Sequence, residues 1–83
     1  MTVADPQIYL ERIEPGRNMA RFYALEIEAD LFGHVLAVRR WGRIGTVGRR
    51  RSLPCPSRDI AMGEIERLRD VKLRRGYRQD LRA

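Results

Sequence analysis

Cysteine and histidine each occur once in this 83-residue chain, as Cys55 and His34. A single cysteine cannot close an internal disulfide, and one thiol with one imidazole falls short of a zinc ligand set, so no metal and no other cofactor is expected. Nucleophilic catalysis needs Ser or Cys with a base and a third, orienting group. No local pattern ties His34 to Ser52 or Cys55, and the chain reads as non-enzymatic. Long apolar runs are missing too. The longest aliphatic stretch, Val35-Leu36-Ala37-Val38, is far below the roughly 20 residues of a membrane-spanning helix, and Met1-Thr2-Val3-Ala4-Asp5 lacks the basic and apolar regions of a signal peptide. A cytoplasmic location without a membrane partner is expected. A chain this short buries about 60–65% of its unfolded surface, which disfavours a deep enclosed active site.

Lysine is scarce: of 17 basic residues only Lys72 is not arginine, as a GC-rich genome would write it. Acid is scarce in one place. Residues 39–51, Arg-Arg-Trp-Gly-Arg-Ile-Gly-Thr-Val-Gly-Arg-Arg-Arg, hold six arginines and none of the 11 acidic residues, although the net charge is only +6. The excess positive charge of the whole protein is therefore local, as a phosphate-facing surface requires.

The hydrophobic fraction of 43% and the charged fraction of 34% suit a folded domain. With no internal repeat, the chain divides into a tail at 1–7, one compact unit at 8–77 and a second tail at 78–83. Ile8 and Leu10 alternate with polar positions in a first strand that ends near Pro15-Gly16. Tyr23, Leu25, Ile27 and Ala29 then alternate with Ala24, Glu26, Glu28 and Asp30, placing one face on a core and the other in water. A turn at Asp30–Gly33 leads into His34–Trp41, where Val35, Ala37, Arg39 and Trp41 share one face and Leu36, Val38 and Arg40 the other. Gly42 and Gly45 should break the extended run through positive φ, and Thr46–Leu53 returns as a further strand ended by Pro54 and Pro56. Ser57 suits a helix N-cap, Ala61, Ile65, Leu68 and Val71 or Lys72 form one helical stripe, and Gly76 suits the position past the C-terminus. The expected fold class is α+β: an antiparallel sheet of about four strands with one α-helix packed on one face.

Gly42, Gly45 and Gly48 are not a P-loop, because no Lys-Ser/Thr follows them and they do not lead from a strand into a helix. They do let a ligand approach bare backbone. Trp41 on its own reads as core, but an indole among arginines beside a turn can also stack on a base or ribose, worth about 1–3 kcal/mol. Arg39, Arg40, Arg43, Arg49, Arg50 and Arg51 are candidate phosphate donors, of which strand alternation lets only about half point the same way.

Trp41-Gly42-Arg43-Ile44-Gly45-Thr46-Val47-Gly48 resembles the defining motif of the WGR domain, which occurs in several poly(ADP-ribose) polymerases and in bacterial proteins. The likeness includes Asn18 and Arg21-Phe22-Tyr23 before the motif and Ala61, Lys72 and Gly76-Tyr77 after it, about residues 8–77 in all. The resemblance implies an antiparallel sheet crossed by one helix. In the polymerases the domain helps recognise DNA breaks, its Trp against a sugar or base at a strand end and its Arg near the terminal phosphate or partner domains. Carried over, Trp41 becomes the stacking residue and Arg43 the phosphate or partner contact, with Gly42 between them and Asn18 and Tyr77 near the same surface. Family members often carry Gln where this chain has Arg49, a change that favours general phosphate attraction. Similarity to the family thus implies a DNA-binding module for ends or nicks, nucleoid-associated in that event. RNA and a protein partner remain open alternatives.

Overall fold

The structure, a computed structural model, describes residues 7–79. Five strands and one long helix follow in the order β1 (Gln7–Glu14), a 3-10 turn (Pro15–Arg17), β2 (Met19–Ala29), β3 (Val35–Arg43), β4 (Arg49–Cys55), α1 (Arg58–Arg74) and β5 (Arg78–Gln79). The sheet is antiparallel in the order β4-β3-β2-β1-β5. The fold is therefore α+β, with one strand more than the sequence pattern suggests. β5 is the addition: Arg78 and Gln79, read above as the start of a tail, pair with Glu11 and Leu10. The rest of that tail and residues 1–6 lie outside the described residues.

The two-residue period of β2 sets the layers. Tyr23, Leu25 and Ile27 face α1 and form the buried core with Ile8, Leu10, Ala37, Ala61, Ile65 and Tyr77. Leu10, Ala61 and Ile65 lose all exposure, so the helical stripe meets the sheet as its spacing requires. Leu68 packs against this core from the next turn of the stripe. Register places Tyr9, Phe22, Glu26, Val38 and Arg40 on the opposite face. Phe22 and Val38 are nevertheless buried there. Phe22 lies parallel to Tyr9 with ring centroids 6.1 Å apart.

Both helix ends are closed by side chain and backbone. Ser57 Oγ accepts from the Ile60 amide at 3.2 Å, satisfying one of the donors that the first turn leaves free. Ser57→Ala should cost about 1 kcal/mol, read as a fall in Tm of roughly 4–8 °C in thermal denaturation. At the other end Gly76, with φ +94°, is the residue past the cap. Its amide donates to the Leu73 carbonyl and the Tyr77 amide to the Lys72 carbonyl, both at 3.1 Å. This paired closure returns the chain toward the sheet and seats Tyr77 in the core.

The basic hairpin departs from its sequence reading in three respects. β3 runs through Gly42 to Arg43, and the positive φ values belong to Gly45 and Gly48, not to Gly42. Gly42 is small for a different reason: a Cβ there would stand 2.9 Å from Gly48 Cα, because the loop folds back over it. That loop takes up residues 44–48, so β4 begins at Arg49 and not at Thr46. Pro54 lies inside β4 and does not end it, as an edge strand permits, since a missing amide on the outer side costs no ladder bond.

Candidate nucleic-acid interface

Strand register decides which of the basic side chains meet. Residues directly opposite in an antiparallel pair project to the same face, so Trp41 joins Tyr23 and Arg49 on the helix side, while Arg39 joins Leu25 and Arg51. Arg43 lies opposite Arg21, and Arg21 opposite Arg12, which makes a row of three guanidiniums across β1, β2 and β3. Like charges directly opposite one another cost stability. Arg40 and Arg50 pair with each other on the far face. The hairpin thus divides its six arginines four to two.

Trp41, Gly42, Arg43, Asn18 and Tyr77, singled out in the sequence, line one open cavity of about 410 Å³ together with Arg17, Arg21 and Lys72. The indole is half-buried, its inner part packed on the core. The Arg39 guanidinium lies over it, 5.3 Å from the ring centroid. Arg43 is held by Asn18, whose backbone carbonyl and Oδ1 accept from the guanidinium at 3.3 and 3.4 Å. Asn18 can do so because it takes a left-handed conformation, φ 50° and ψ 41°, at the end of the 3-10 turn, with its own amide on the Pro15 carbonyl. This residue type tolerates that region through its short polar side chain. Asn18 therefore acts as a clamp on Arg43. Thr46 closes the turn beyond, its Oγ1 donating to the Arg43 carbonyl at 2.7 Å.

Arg21 and Lys72 were not among the site residues legible from the hairpin. Lys72 Nζ lies 4.7 Å from the Tyr23 ring centroid and 5.3 Å from that of Tyr77. Burial first, then the charges of Arg75, Arg39 and Arg21, hold its amine below the usual lysine range. Arg39 and Arg51 also border a second groove of about 270 Å³ between α1 and the β3–β4 edge.

Charge on the two sides of the sheet is balanced differently. On the far face Arg50 contacts Glu28 at 2.6 Å. Burial and the Glu28 contact push the Glu26 carboxyl above its ordinary value, against the pull of Arg40 and Arg50. On the cavity side Arg12 and Arg17 pair with Glu14 at 3.3 and 3.8 Å, whereas none of Arg21, Arg39, Arg43, Arg49, Arg51 and Lys72 forms an ion pair with a carboxylate among the described residues. Among the described residues no carboxylate lines the cavity. An unneutralised cluster beside an aromatic wall can receive a polyanion without first breaking internal pairs.

The WGR domain family model matches residues 6–83. The chain belongs to the WGR family. This WGR domain is 43% identical over 79 residues to uncharacterized protein y4dW of Sinorhizobium fredii, covering 94% of the present chain. It spans 39% of that relative's length. No solved structure matches the chain. Among the described residues no helix is long and apolar enough to cross a membrane, and no group of three His, Cys, Asp or Glu side chains could hold a metal ion.

Proposed function

We propose that this WGR domain binds DNA at interruptions of the strand, at ends or nicks, through the cavity beneath Trp41. The observation that carries this reading is the half-buried indole at the wall of a cavity with no carboxylate among its described lining residues, on the side of the sheet where Arg21, Arg39, Arg43, Arg49, Arg51 and Lys72 form no ion pair among the described residues. An exposed base or sugar at a break offers a π-face or an edge to the ring, as a continuous duplex does not, while guanidiniums take the flanking phosphates. The family supports nucleic-acid binding in general, and the geometry favours the interrupted strand within it.

The proposed contact set is Trp41, Gly42 and Arg43 with Arg39, Arg49, Arg51, Arg21, Lys72 and Tyr77, and with Asn18 positioning Arg43. Arg40 and Arg50 are left to the far face. If four or five of these cations neutralise phosphates, log K should fall against log salt with a slope of about −3.5 to −4.5. Titration of labelled nicked, blunt-ended, intact and single-stranded DNA, with matched RNA, tests the reading. Tighter binding to nicked or blunt-ended duplex than to the intact circle is the expected order. A flat salt response, or capture of partners that survives nuclease treatment, would point to a protein-binding adaptor.

A further inference from the structure

A chain that writes arginine almost everywhere keeps its one lysine inside the cavity. The choice matters chemically. A guanidinium stays protonated at any pH a protein meets, whereas an amine can lose its proton and become a nucleophile. The position is built from three directions. Lys72 stands on the stripe of α1 that faces the sheet, its Nζ lies over the Tyr23 ring, and the closure at Gly76 brings the Tyr77 ring to the same nitrogen. The two rings favour the ammonium. Burial and the nearby guanidiniums of Arg75, Arg39 and Arg21 oppose them, and the net direction is toward the free amine. No carboxylate among the cavity-lining residues holds the nitrogen in an ion pair.

Resting on the nucleic-acid reading above, we infer that Lys72 captures aldehydes on damaged nucleic acid: its Nζ adds to the open-chain sugar aldehyde left where a base has been lost, Trp41 occupying the space of that base. The lone pair of Nζ attacks the aldehyde carbon, a C–N bond forms and the carbonyl π pair moves to oxygen, which takes up a proton. The nitrogen then gives up a proton, the hydroxyl takes up a proton from solvent and leaves as water, and a protonated imine remains. Amine, aldehyde and one proton yield protonated imine plus water, with no change of oxidation state. The next step in strand cleavage would remove a proton from the neighbouring sugar carbon. Among the described lining residues there is no carboxylate to take it, so the adduct persists. The activity is stoichiometric capture, not turnover.

The test uses the whole chain with a duplex carrying one abasic site, cyanoborohydride to reduce the imine to a stable amine, and peptide mass mapping of the linked residue. The expected adduct maps to Lys72, and in Lys72→Arg, which keeps the cation, its yield per bound complex falls about tenfold or more. The trapping rate should climb with pH and level off at a lower pH than for an ordinary lysine amine, because burial and the nearby guanidiniums lower the pKa of the Lys72 amine. An adduct confined to the terminal amine, or an undiminished yield in Lys72→Arg, overturns the inference. Mapping the wild-type adduct decides the matter even if the variant folds poorly. Binding of nicked duplex without any Lys72 adduct removes the inference and leaves the proposed function standing. Failure to bind any nucleic acid removes both.

Discussion

Trp41→Ala will lower affinity for a nicked or blunt-ended duplex far more than affinity for an intact circle. Loss of one stacking contact is worth about 1–3 kcal/mol, or roughly five- to 150-fold in Kd. Phosphate attraction, which both substrates share, is carried by side chains that the substitution leaves in place. The indole also packs on the core, so the variant will be less stable as well. The ratio of the two affinities, measured on the folded fraction at one salt concentration, is insensitive to that loss. A ratio unchanged from wild type would mean that the ring does not read the interruption, and end recognition would have to be abandoned.

The second large effect is expected in the loop itself. Gly48 has φ +74°, and a methyl there would overlap the Trp41 carbonyl oxygen and stand 2.8 Å from Phe22 Cζ. Backbone cannot yield as a flexible side chain does, so the loop or the end of β3 has to move. Strain at positive φ adds to the clash, for a total of about 3–4 kcal/mol, roughly 12–30 °C in Tm. Gly45→Ala provides the comparison. It has φ +94° but meets nothing within 4 Å, so it should lose only the conformational part, about 1 kcal/mol. Equal losses in the two variants, measured by thermal or denaturant unfolding, would show that the loop does not lie against β3. Because the clash falls on the peptide that carries Trp41, Gly48→Ala should also weaken binding beyond what its stability loss explains.

Local chemistry explains most of what could be read before the fold was seen. The alternation in β2, the Ser57 cap, the helical stripe and Gly76 each depend on neighbours within a few positions. All four appear where their spacing puts them. β5 was not legible because two residues carry no period, and its pairing with β1 exists only once the helix has crossed the sheet. Of the two glycines expected at positive φ, Gly45 takes that conformation and Gly42 lies instead in β3, a difference that equal spacing in the sequence hides. Only the folded loop distinguishes a glycine that turns the chain, Gly45, from one that makes room for it, Gly42.

The candidate site followed the same division. Trp41 and the arginine run announce themselves in thirteen residues, and alternation already implied that the arginines could not all face one way. The grouping of Arg39, Arg43, Arg49 and Arg51 on the face away from Arg40 and Arg50 follows from the β2–β3 and β3–β4 registers. Arg21 and Lys72 come from a different strand and from the last turn of α1. The row Arg12–Arg21–Arg43 is a product of two strand pairings, and no linear motif encodes it. Asn18 was legible as a position near the surface, but its role as a clamp depends on a left-handed backbone 25 residues away from the arginine it holds.

Trp41 is the sole tryptophan in the chain, and it sits at the cavity wall beneath a guanidinium. Tryptophan emission from this protein, excited beyond the tyrosine absorption band, therefore originates from a single address. Any molecule entering the cavity must change the polarity, quenching or mobility of that one fluorophore, so occupancy can be followed optically without attaching a dye to either partner.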